Sequence, residues 1–159
     1  MPIWKRPYNP ETALFKENIC NYLGIEITEV GEDFLRGTMP VDRRTIQPMG
    51  LLHGGASVVL AETLGSIAAN LCCEDEAYCI GLEINANHLR SITSGKVIGT
   101  TRPIHIGHST QVWEIKIEDD QGRPTCISRI TMATKTAMYP EQIAKDRSWS
   151  QMEAQPLTF

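Results

Sequence analysis

The hydrophobic positions of this chain follow two periodicities, one typical of strands and one typical of a buried helix. Alternation of apolar and polar residues is clearest at 110–118, where Trp113, Ile115 and Ile117 would share one face of a strand. Similar patterns separated by turn residues predict antiparallel strands over 24–30, 34–41, 79–89, 95–104, 110–118 and 123–137. The first two strands are expected to form a hairpin, and so are the last two.

One long, nearly apolar stretch, from about Gly54 to Cys72, interrupts the strands and predicts a helix. A helix without a polar face is normally buried, so the sheet should curl around it. We therefore expect an α+β fold in which about six antiparallel strands wrap around one central helix. The chain is divided into an N-terminal segment with a short helix (1–23), this domain (24–138) and a polar C-terminal tail (139–159).

The short helix of the N-terminal segment is predicted from its end signals. Asn9 and Pro10 are typical of a helix start, and Gly24 is typical of a helix end. The helix would bury a stripe of four side chains, which are Leu14, Phe15, Ile19 and Leu23.

The length, net charge and cysteine content of the chain limit the classes of protein to which it can belong. A length of 159 residues suits a single domain, and a net charge of −4 disfavours a nucleic-acid partner, which is usually bound by a basic surface. Five cysteines without a C-x-x-C pair, and no apolar segment of a signal peptide, predict free thiols and a cytoplasmic location. The adjacent Cys72 and Cys73 are interpreted as packing at the helix end. No apolar run has the length of a membrane span, and the histidines lack the spacing of a metal site.

Glu62 is the one charged residue of the apolar helix, and no Lys or Arg between Ala56 and Leu71 is available to pair with it. An unpaired carboxylate is costly to bury, so its presence suggests a use. Ser66, four residues later, shares its face of the helix and could orient a water molecule. A dehydrated carboxylate beside a hydroxyl suits a nucleophile or a general base. The alternative is a solvated glutamate at the edge of the helix.

His53, Gly54 and Gly55 lie at the start of this helix and form a second candidate. Glycines expose backbone N–H groups, and a helix N-terminus adds positive potential. Together they suit the oxyanion of an acyl-transfer reaction, and Gln47 could donate its amide to the same oxygen. The alternative for His53, Gly54 and Gly55 is a turn that only begins the helix. The alternative for Gln47 is an ordinary surface residue of the loop. No G-x-S-x-G motif supports a serine hydrolase.

A third candidate is a set of basic and small polar residues at two predicted strand ends. One segment contains His88, Leu89, Arg90 and Ser91, and the other contains His105, Ile106, Gly107, His108, Ser109 and Thr110. Arginine, histidine, glycine and serine are residue types that hold phosphate groups. Ordinary solvated loops have the same composition, so both interpretations stay open.

Two stretches, QPMGLLHGGASVVLAETLGS (47–66) and GLEINANHLRS (81–91), resemble the hotdog-fold acyl-CoA thioesterases. The resemblance covers about 23–137. It is greatest to the branch with 1,4-dihydroxy-2-naphthoyl-CoA hydrolase, the enterobactin proofreading thioesterase and the Glu-dependent 4-hydroxybenzoyl-CoA thioesterase. It implies hydrolysis of an aromatic acyl-CoA to the free acid and CoA. No cofactor is implied, because CoA belongs to the substrate.

The resemblance also implies a role for each catalytic candidate. Glu62 would be the nucleophile or the general base. Gln47 and the backbone N–H of Gly54 or Gly55 would polarise the thioester oxygen. His53 would help to place the acyl group or the leaving thiol.

The remaining candidates would bind substrate or water. Ser66 would hold the water molecule, and Gly81 would lie near the acyl pocket. The segments 88–91 and 105–110 would line the path of CoA. In this family, active sites lie at the seam of a dimer, with Glu62 facing the loop 47–55 of the other subunit, and dimers pair into tetramers.

Three alternative functions are considered. A hotdog hydratase or dehydratase would carry a different histidine motif, which this chain lacks. A non-catalytic acyl-CoA sensor would usually carry DNA-binding helices, for which the segment before Gly24 is too short. A thioesterase acting on an acyl group bound to a carrier protein would see the same pantetheine arm, so the sequence does not separate it from an acyl-CoA hydrolase.

Overall fold

The computed structural model describes residues 1–12 and 17–136, which form one sheet, one long helix and a short N-terminal segment. The strands are β1 (Glu26–Val30), β2 (Leu35–Pro40), β3 (Ala77–His88), β4 (Lys96–Ile106), β5 (Thr110–Asp119) and β6 (Pro124–Thr136). The helices are α1 (Ile19–Leu23) and α2 (Gly54–Leu71), and a single 3₁₀ turn occupies Pro10–Thr12.

The six strands form one sheet in the order β1-β2-β4-β5-β6-β3, and every neighbouring pair is antiparallel. The predicted α+β fold, with six antiparallel strands and one central helix, is confirmed. Both predicted hairpins, β1–β2 and β5–β6, are present. The chain passes through α2 between β2 and β3, and β3 lies at the far edge of the sheet, where β6 is its one partner among the described strands.

The core lies between α2 and the side of the sheet that faces it. Leu60 and Leu64 of α2 are wholly buried against the predicted inner face of β5, formed by Trp113, Ile115 and Ile117, which is also wholly buried. Burial of each such side chain contributes about 1.5–3 kcal/mol. The alternation read from 110–118 therefore identified the core face of this strand correctly.

The expectation that α2 is buried on all sides is wrong for one side. The sheet covers the side that carries Leu60 and Leu64, whereas Glu62 is exposed and its neighbours Val59 and Ser66 are only half-buried. A single sheet packs against one side of a helix. The apolar residues on the other side of α2 are therefore left without full cover by the described part of this chain.

The predicted helix of the N-terminal segment is also wrong in its extent. The 3₁₀ turn ends at Thr12, and α1 begins separately, with Asn18 accepting the N–H of Cys20 at 2.9 Å as its N-cap. Gly24 ends α1 as predicted, with φ of 69°. Ile19 is 55% exposed, so it belongs to no buried stripe. Leu23 is partly buried against the core, as predicted. Leu14 and Phe15, and the tail 139–159, lie outside the described residues.

The first residues of the chain are part of the fold. Trp4 stacks on the buried Trp113, with ring centroids 6.1 Å apart, and its indole N–H donates to the carbonyl of Gly31 at 2.6 Å. The backbone N–H groups of Lys5 and Arg6 both donate to the carbonyl of Leu71 at the end of α2. The N-terminal segment therefore closes one end of the core, which the sequence patterns did not indicate.

The thiols at the end of α2 have a packing role, in agreement with the sequence interpretation. Cys72 and Cys73 are each 3% exposed, and the sulfur of Cys73 lies 3.3 Å from that of Cys79 on β3. Burial raises the pKa of Cys72 to about 11 and that of Cys73 to about 12. Both side chains are therefore protonated thiols near neutral pH.

We expect a thiol reagent to distinguish Cys20 from the other four cysteines. Cys20 is partly accessible, whereas Cys72, Cys73, Cys79 and Cys126 are buried, and a thiol with a pKa of 11 is only about 0.1% ionised at pH 8. Titration with a disulfide reagent should modify one thiol rapidly in the native protein and all five after denaturation. Cys20→Ser should remove the fast phase. Rapid modification of the buried thiols in the native state would contradict this packing.

Candidate active site

The loop before α2 is held in a defined shape by its own backbone. An antiparallel bridge joins Ile46 to Leu52, and the N–H of Gln47 donates to the carbonyl of Leu51 at 2.8 Å. The N–H of His53 donates to the carbonyl of Thr45, also at 2.8 Å. These contacts fix the position of Gln47 relative to the start of α2.

The base of this loop is held by an ion pair. The Asp42 carboxylate accepts hydrogen bonds from the backbone N–H of Arg44 at 2.9 Å and from its guanidinium at 2.7 Å. Hydrogen bonding from the Arg44 guanidinium lowers the pKa of Asp42 to about 2. The carboxylate therefore stays ionised, and the pair stays intact, down to strongly acidic pH.

The amide of Gln47 is oriented by its neighbour Met49. The side-chain carbonyl of Gln47 accepts the N–H of Met49 at 2.5 Å, which occupies the acceptor end of the amide. Its NH₂ group makes no hydrogen bond with the described residues. Gln47 thus presents two N–H donors at the tip of a fixed loop, as an oxyanion site requires.

The backbone N–H groups of Gly54 and Gly55, at the N-terminus of α2, differ in whether the protein supplies an acceptor for them. His53 is the N-cap, and its Nδ1 accepts the N–H of Gly55 at 2.8 Å. This bond uses the donor of Gly55 and leaves Nε2 of His53 as the exposed end of the ring. Of the two predicted backbone donors, only the N–H of Gly54 is left without a partner among the described residues. The positive end of the helix dipole adds to its potential.

A cavity of about 330 Å³ opens beside this helix terminus. Its lining combines the loop, the helix start and the segment after β3, and consists of Gln47, Leu51, Leu52, Gly54, Ser57, His88, Leu89, Arg90, Ser91 and Thr125. A β-carbon added at Gly54 would lie 2.8 Å from Nε2 of His88, so the glycine allows the His88 ring to lie against the start of α2. The structure therefore brings Gln47, Gly54 and the predicted segment 88–91 together.

Four lining residues were not predicted as site residues. Ser57 follows His53 by one helical turn, which was a usable signal, because it places both on the same face of α2. Leu51, Leu52 and Thr125 carry no such signal, because apolar loop residues and a strand threonine are common everywhere. Their position in the cavity depends on tertiary structure alone.

Glu62 lies away from this cavity. Its side chain is exposed, and a β-carbon added at Gly81 would lie 3.0 Å from its Oε1, so the glycine leaves room for the carboxylate in this position. Ser66 is half-buried, and its hydroxyl lies 4.0 Å from the sulfur of Met132. The structure thus brings Glu62 to Gly81, on the side of α2 that the sheet leaves uncovered.

The two halves of the predicted site are separated within one chain. Gly54 and Glu62 are eight positions apart on α2, a distance of about 12 Å along the helix axis. On β3, Gly81 and His88 are seven residues apart, which is about 23 Å of strand. The donors at the Gly54 end therefore do not reach a thioester carbonyl placed at Glu62 of the same chain.

The two predicted phosphate segments are also separated in one chain. The N–H of Leu89 donates to the carbonyl of Thr125 at the start of β6, whereas the turn 105–110 contacts the other end of that strand. There, Thr110 is paired with Ala133, which also pairs with Ile80 of β3. Thr125 and Ala133 are eight positions apart on β6, or about 27 Å. The expected single cluster is therefore not formed by one chain.

The sequence of this chain is similar to that of known proteins over most of its length. The sequence matches the Thioesterase superfamily over residues 49–126. It is 53% identical to 1,4-dihydroxy-2-naphthoyl-CoA hydrolase of Escherichia coli, over 82% of this chain and 98% of that protein. It is 50% identical to proofreading thioesterase EntH of Cronobacter turicensis, over 82% of this chain and 97% of that protein. The chain belongs to the thioesterase superfamily.

A solved structure gives the same result for the fold. A crystal structure of a thioesterase from Haemophilus influenzae superposes with a TM-score of 0.82 at 45% identity, covering 87% of this chain and 98% of that one. The predicted family and the predicted thioester hydrolase activity are both confirmed. Within residues 1–12 and 17–136, no helix has the length and apolar character needed to cross a membrane.

Proposed function

We propose that this thioesterase is an aromatic acyl-CoA hydrolase of the cytoplasm, with Glu62 as its nucleophile or general base. The sites would lie at the seam of a homodimer, and dimers would pair into tetramers. The observation that carries this proposal is the arrangement along the free edge of β3. Glu62 lies at one end of that edge beside Gly81, and the donor cavity lies at the other end beside His88.

The free edge of β3 favours pairing with a second copy of the chain. The N–H of Leu89 and the carbonyl of Asn85 face β6, where they bond to Thr125 and to Ser128. By alternation, Ile84 and Ala86 direct their N–H and C=O groups to the open edge. An unpaired strand edge is a template for another strand.

Antiparallel pairing about a two-fold axis near Asn85 would complete the site. It would place the Gly81 end of one β3 beside the His88 end of the other, because a two-fold interface repeats each contact. Glu62 of one subunit would then face Gln47 and Gly54 of the other. The same operation would bring the segment 88–91 of one subunit toward the turn 105–110 of the other, which accounts for the separation of both pairs in a single chain.

The chemistry of such a site is thioester hydrolysis. The amide of Gln47 and the N–H of Gly54 would donate to the thioester oxygen and stabilise the charge that develops on it. As a general base, Glu62 would take a proton from water as the water oxygen bonds to the carbonyl carbon. The C–S bond then breaks, and the proton passes to the leaving thiolate, giving the acid and CoA. As a nucleophile, the Glu62 carboxylate would instead bond to the carbonyl carbon and displace the CoA thiolate, and water would then cleave the resulting anhydride to the free acid and Glu62.

The aromatic acyl group is supported by similarity and by the surface around Glu62. The 53% identical relative in Escherichia coli is named for 1,4-dihydroxy-2-naphthoyl-CoA. One turn before Glu62, the half-buried side chains of Val58 and Val59 offer apolar contact on the uncovered side of α2. An acyl group on a carrier protein is the second candidate, supported by the 50% identical proofreading thioesterase.

A turnover screen with purified protein tests these substrate classes. Aryl-CoA, fatty acyl-CoA and aryl-carrier thioesters should be compared by kcat/KM under the same conditions. We expect aryl-CoA to be hydrolysed with the highest value. A preference for the carrier-bound ester would support the second candidate, and a preference for fatty acyl-CoA would contradict both.

Arg90 provides a more specific test of the CoA site. Its exposed guanidinium lies at the cavity, where it suits a phosphate of CoA. We expect Arg90→Ala to raise KM for a CoA ester about tenfold while kcat changes little, because loss of uniform binding affects KM alone. The same acyl group on pantetheine, which lacks the nucleotide, is the control and should show no change in KM. An unchanged KM for the CoA ester would remove the phosphate role.

A further inference from the structure

The side chain of Asn70, in the last turn of α2, connects the helix to β3 by three hydrogen bonds. Its Oδ1 accepts the backbone N–H of Cys79 at 2.9 Å, and its Nδ2 donates to the carbonyl of Cys79 at 3.2 Å. The same Nδ2 donates to the carbonyl of Ser66 at 2.8 Å. Asparagine has a poorer helix propensity than alanine, so its place inside α2 is explained by these contacts.

The two hydrogen bonds between Asn70 and Cys79 restrain the backbone of β3 at this residue. Both polar groups of Cys79 bond to Asn70, although Cys79 is in register with Thr134 of β6. They therefore point away from β6, toward the free edge of the sheet. A side-chain amide that bonds to both the N–H and the C=O of one residue fixes the direction of the strand at that residue as well as its distance from the helix.

This attachment lies close to Glu62. Gly81 follows Cys79 by two residues and faces the same side of β3, where a β-carbon added to it would lie 3.0 Å from Oε1 of Glu62. Immediately after Gly81, β3 shifts its register against β6, between Gly81 and Glu83. A bulge interrupts the regular ladder, so β6 restrains this stretch less tightly. Asn70 supplies a second restraint, from the helix that carries Glu62.

We propose that Asn70 is a positioning residue for thioester hydrolysis, which fixes the Cys79–Gly81 backbone against α2 and thereby the surface on which the Glu62 carboxylate rests. This inference rests on the proposed function of Glu62. It assigns Asn70 no contact with the substrate. Its effect should therefore appear in kcat and should depend on the presence of Glu62.

The first experiment compares Asn70→Ala with Cys72→Ala. Cys72 lies at the same end of α2, and its thiol donates to the carbonyl of Ile3 at 3.7 Å rather than to β3. We expect Asn70→Ala to lower kcat on an aryl-CoA ester about 100-fold, the size expected for a misplaced reacting group. KM should change less than threefold. Cys72→Ala should keep the wild-type kcat, and equal kcat values for both variants would overturn the inference.

A double variant separates positioning from loss of stability. In a Glu62→Ala background, Asn70→Ala should cause no further decrease in residual turnover, because residues that act as a unit are not additive. A further 100-fold decrease would show that Asn70 acts independently of Glu62 and would overturn the inference.

Asn70→Asp keeps the acceptor for the Cys79 N–H but loses both donors, so it should lower kcat less than Asn70→Ala. A wild-type kcat in Asn70→Asp would also count against the inference.

Amide hydrogen exchange gives a readout that does not require activity. In Asn70→Ala the Cys79 amide should exchange at least about tenfold faster than in the wild type, whereas in Asn70→Asp it should stay protected. Unchanged protection in Asn70→Ala would overturn the inference. If the wild-type protein hydrolyses no thioester, or if Glu62→Ala keeps its turnover, the proposed function fails instead. The positioning role fails alone when Glu62→Ala is inactive and Asn70→Ala is fully active.

Discussion

Replacing Glu62 by alanine should reduce kcat on the preferred thioester by about 10³-fold or more, the usual range for losing a covalent or acid–base group. This expected loss of kcat depends on where the Glu62 carboxylate lies. The carboxylate lies against Gly81, on the side of α2 that its own sheet leaves uncovered. Because the side chain is exposed in the single chain, its removal should not destabilise the subunit. Steady-state kinetics on the folded variant, with thermal unfolding as a check, measure this effect.

A matched substitution controls for the loss of a surface carboxylate. Glu114 lies on the outer face of β5 and pairs with Lys116 at 3.2 Å, a surface ion pair of small energetic value. Glu114→Ala should therefore keep the wild-type kcat. A Glu62→Ala variant that hydrolyses every tested thioester at the wild-type rate would contradict the catalytic role.

The order of product release decides between the two roles of Glu62. A covalent path through an anhydride releases CoA before the acid, so a burst of thiol should precede the acid in a single turnover. With Glu62 as a general base, both products should appear together. The Glu62→Ala variant should show neither behaviour within the time of one wild-type turnover.

The sequence predicted the strands and the long helix because each has a local signal. Alternation on β5 selected the buried face correctly, since the same residues, Trp113, Ile115 and Ile117, are wholly buried. The end signal at Gly24 was also correct. Periodicity does not report which strands pair, so the position of β3 at an edge required the structure.

The exposure of Glu62 in the single chain had no signal in the sequence, for a physical reason. Nearly continuous apolar residues in α2 indicate that all sides of the helix are to be covered, but they do not indicate by what. The sheet of the same chain covers one side, and Glu62 lies on the other. The contact of Asn70 with Cys79 had no sequence signal either, because a single polar residue in a helix has no periodicity. Both features concern surfaces that meet only in three dimensions.

A site divided between two subunits makes a quantitative prediction about mixed dimers. A chain with Glu62→Ala still supplies Gln47, and a chain with Gln47→Ala still supplies Glu62. In a mixed dimer, one of the two sites would have both intact residues, and the other would have neither. Each variant alone would contain no intact site.

Co-expression of Glu62→Ala and Gln47→Ala chains in equal amounts should therefore restore about a quarter of the wild-type kcat, because half of the dimers are mixed and one of their two sites is intact. Relative to Glu62→Ala alone, this is a gain of more than about 100-fold. Mixing Glu62→Ala with Glu62→Gln chains is the control and should restore nothing. If the complementary pair also restores nothing while mixed dimers are present, Glu62 and Gln47 act within one chain, and the two-subunit site is wrong.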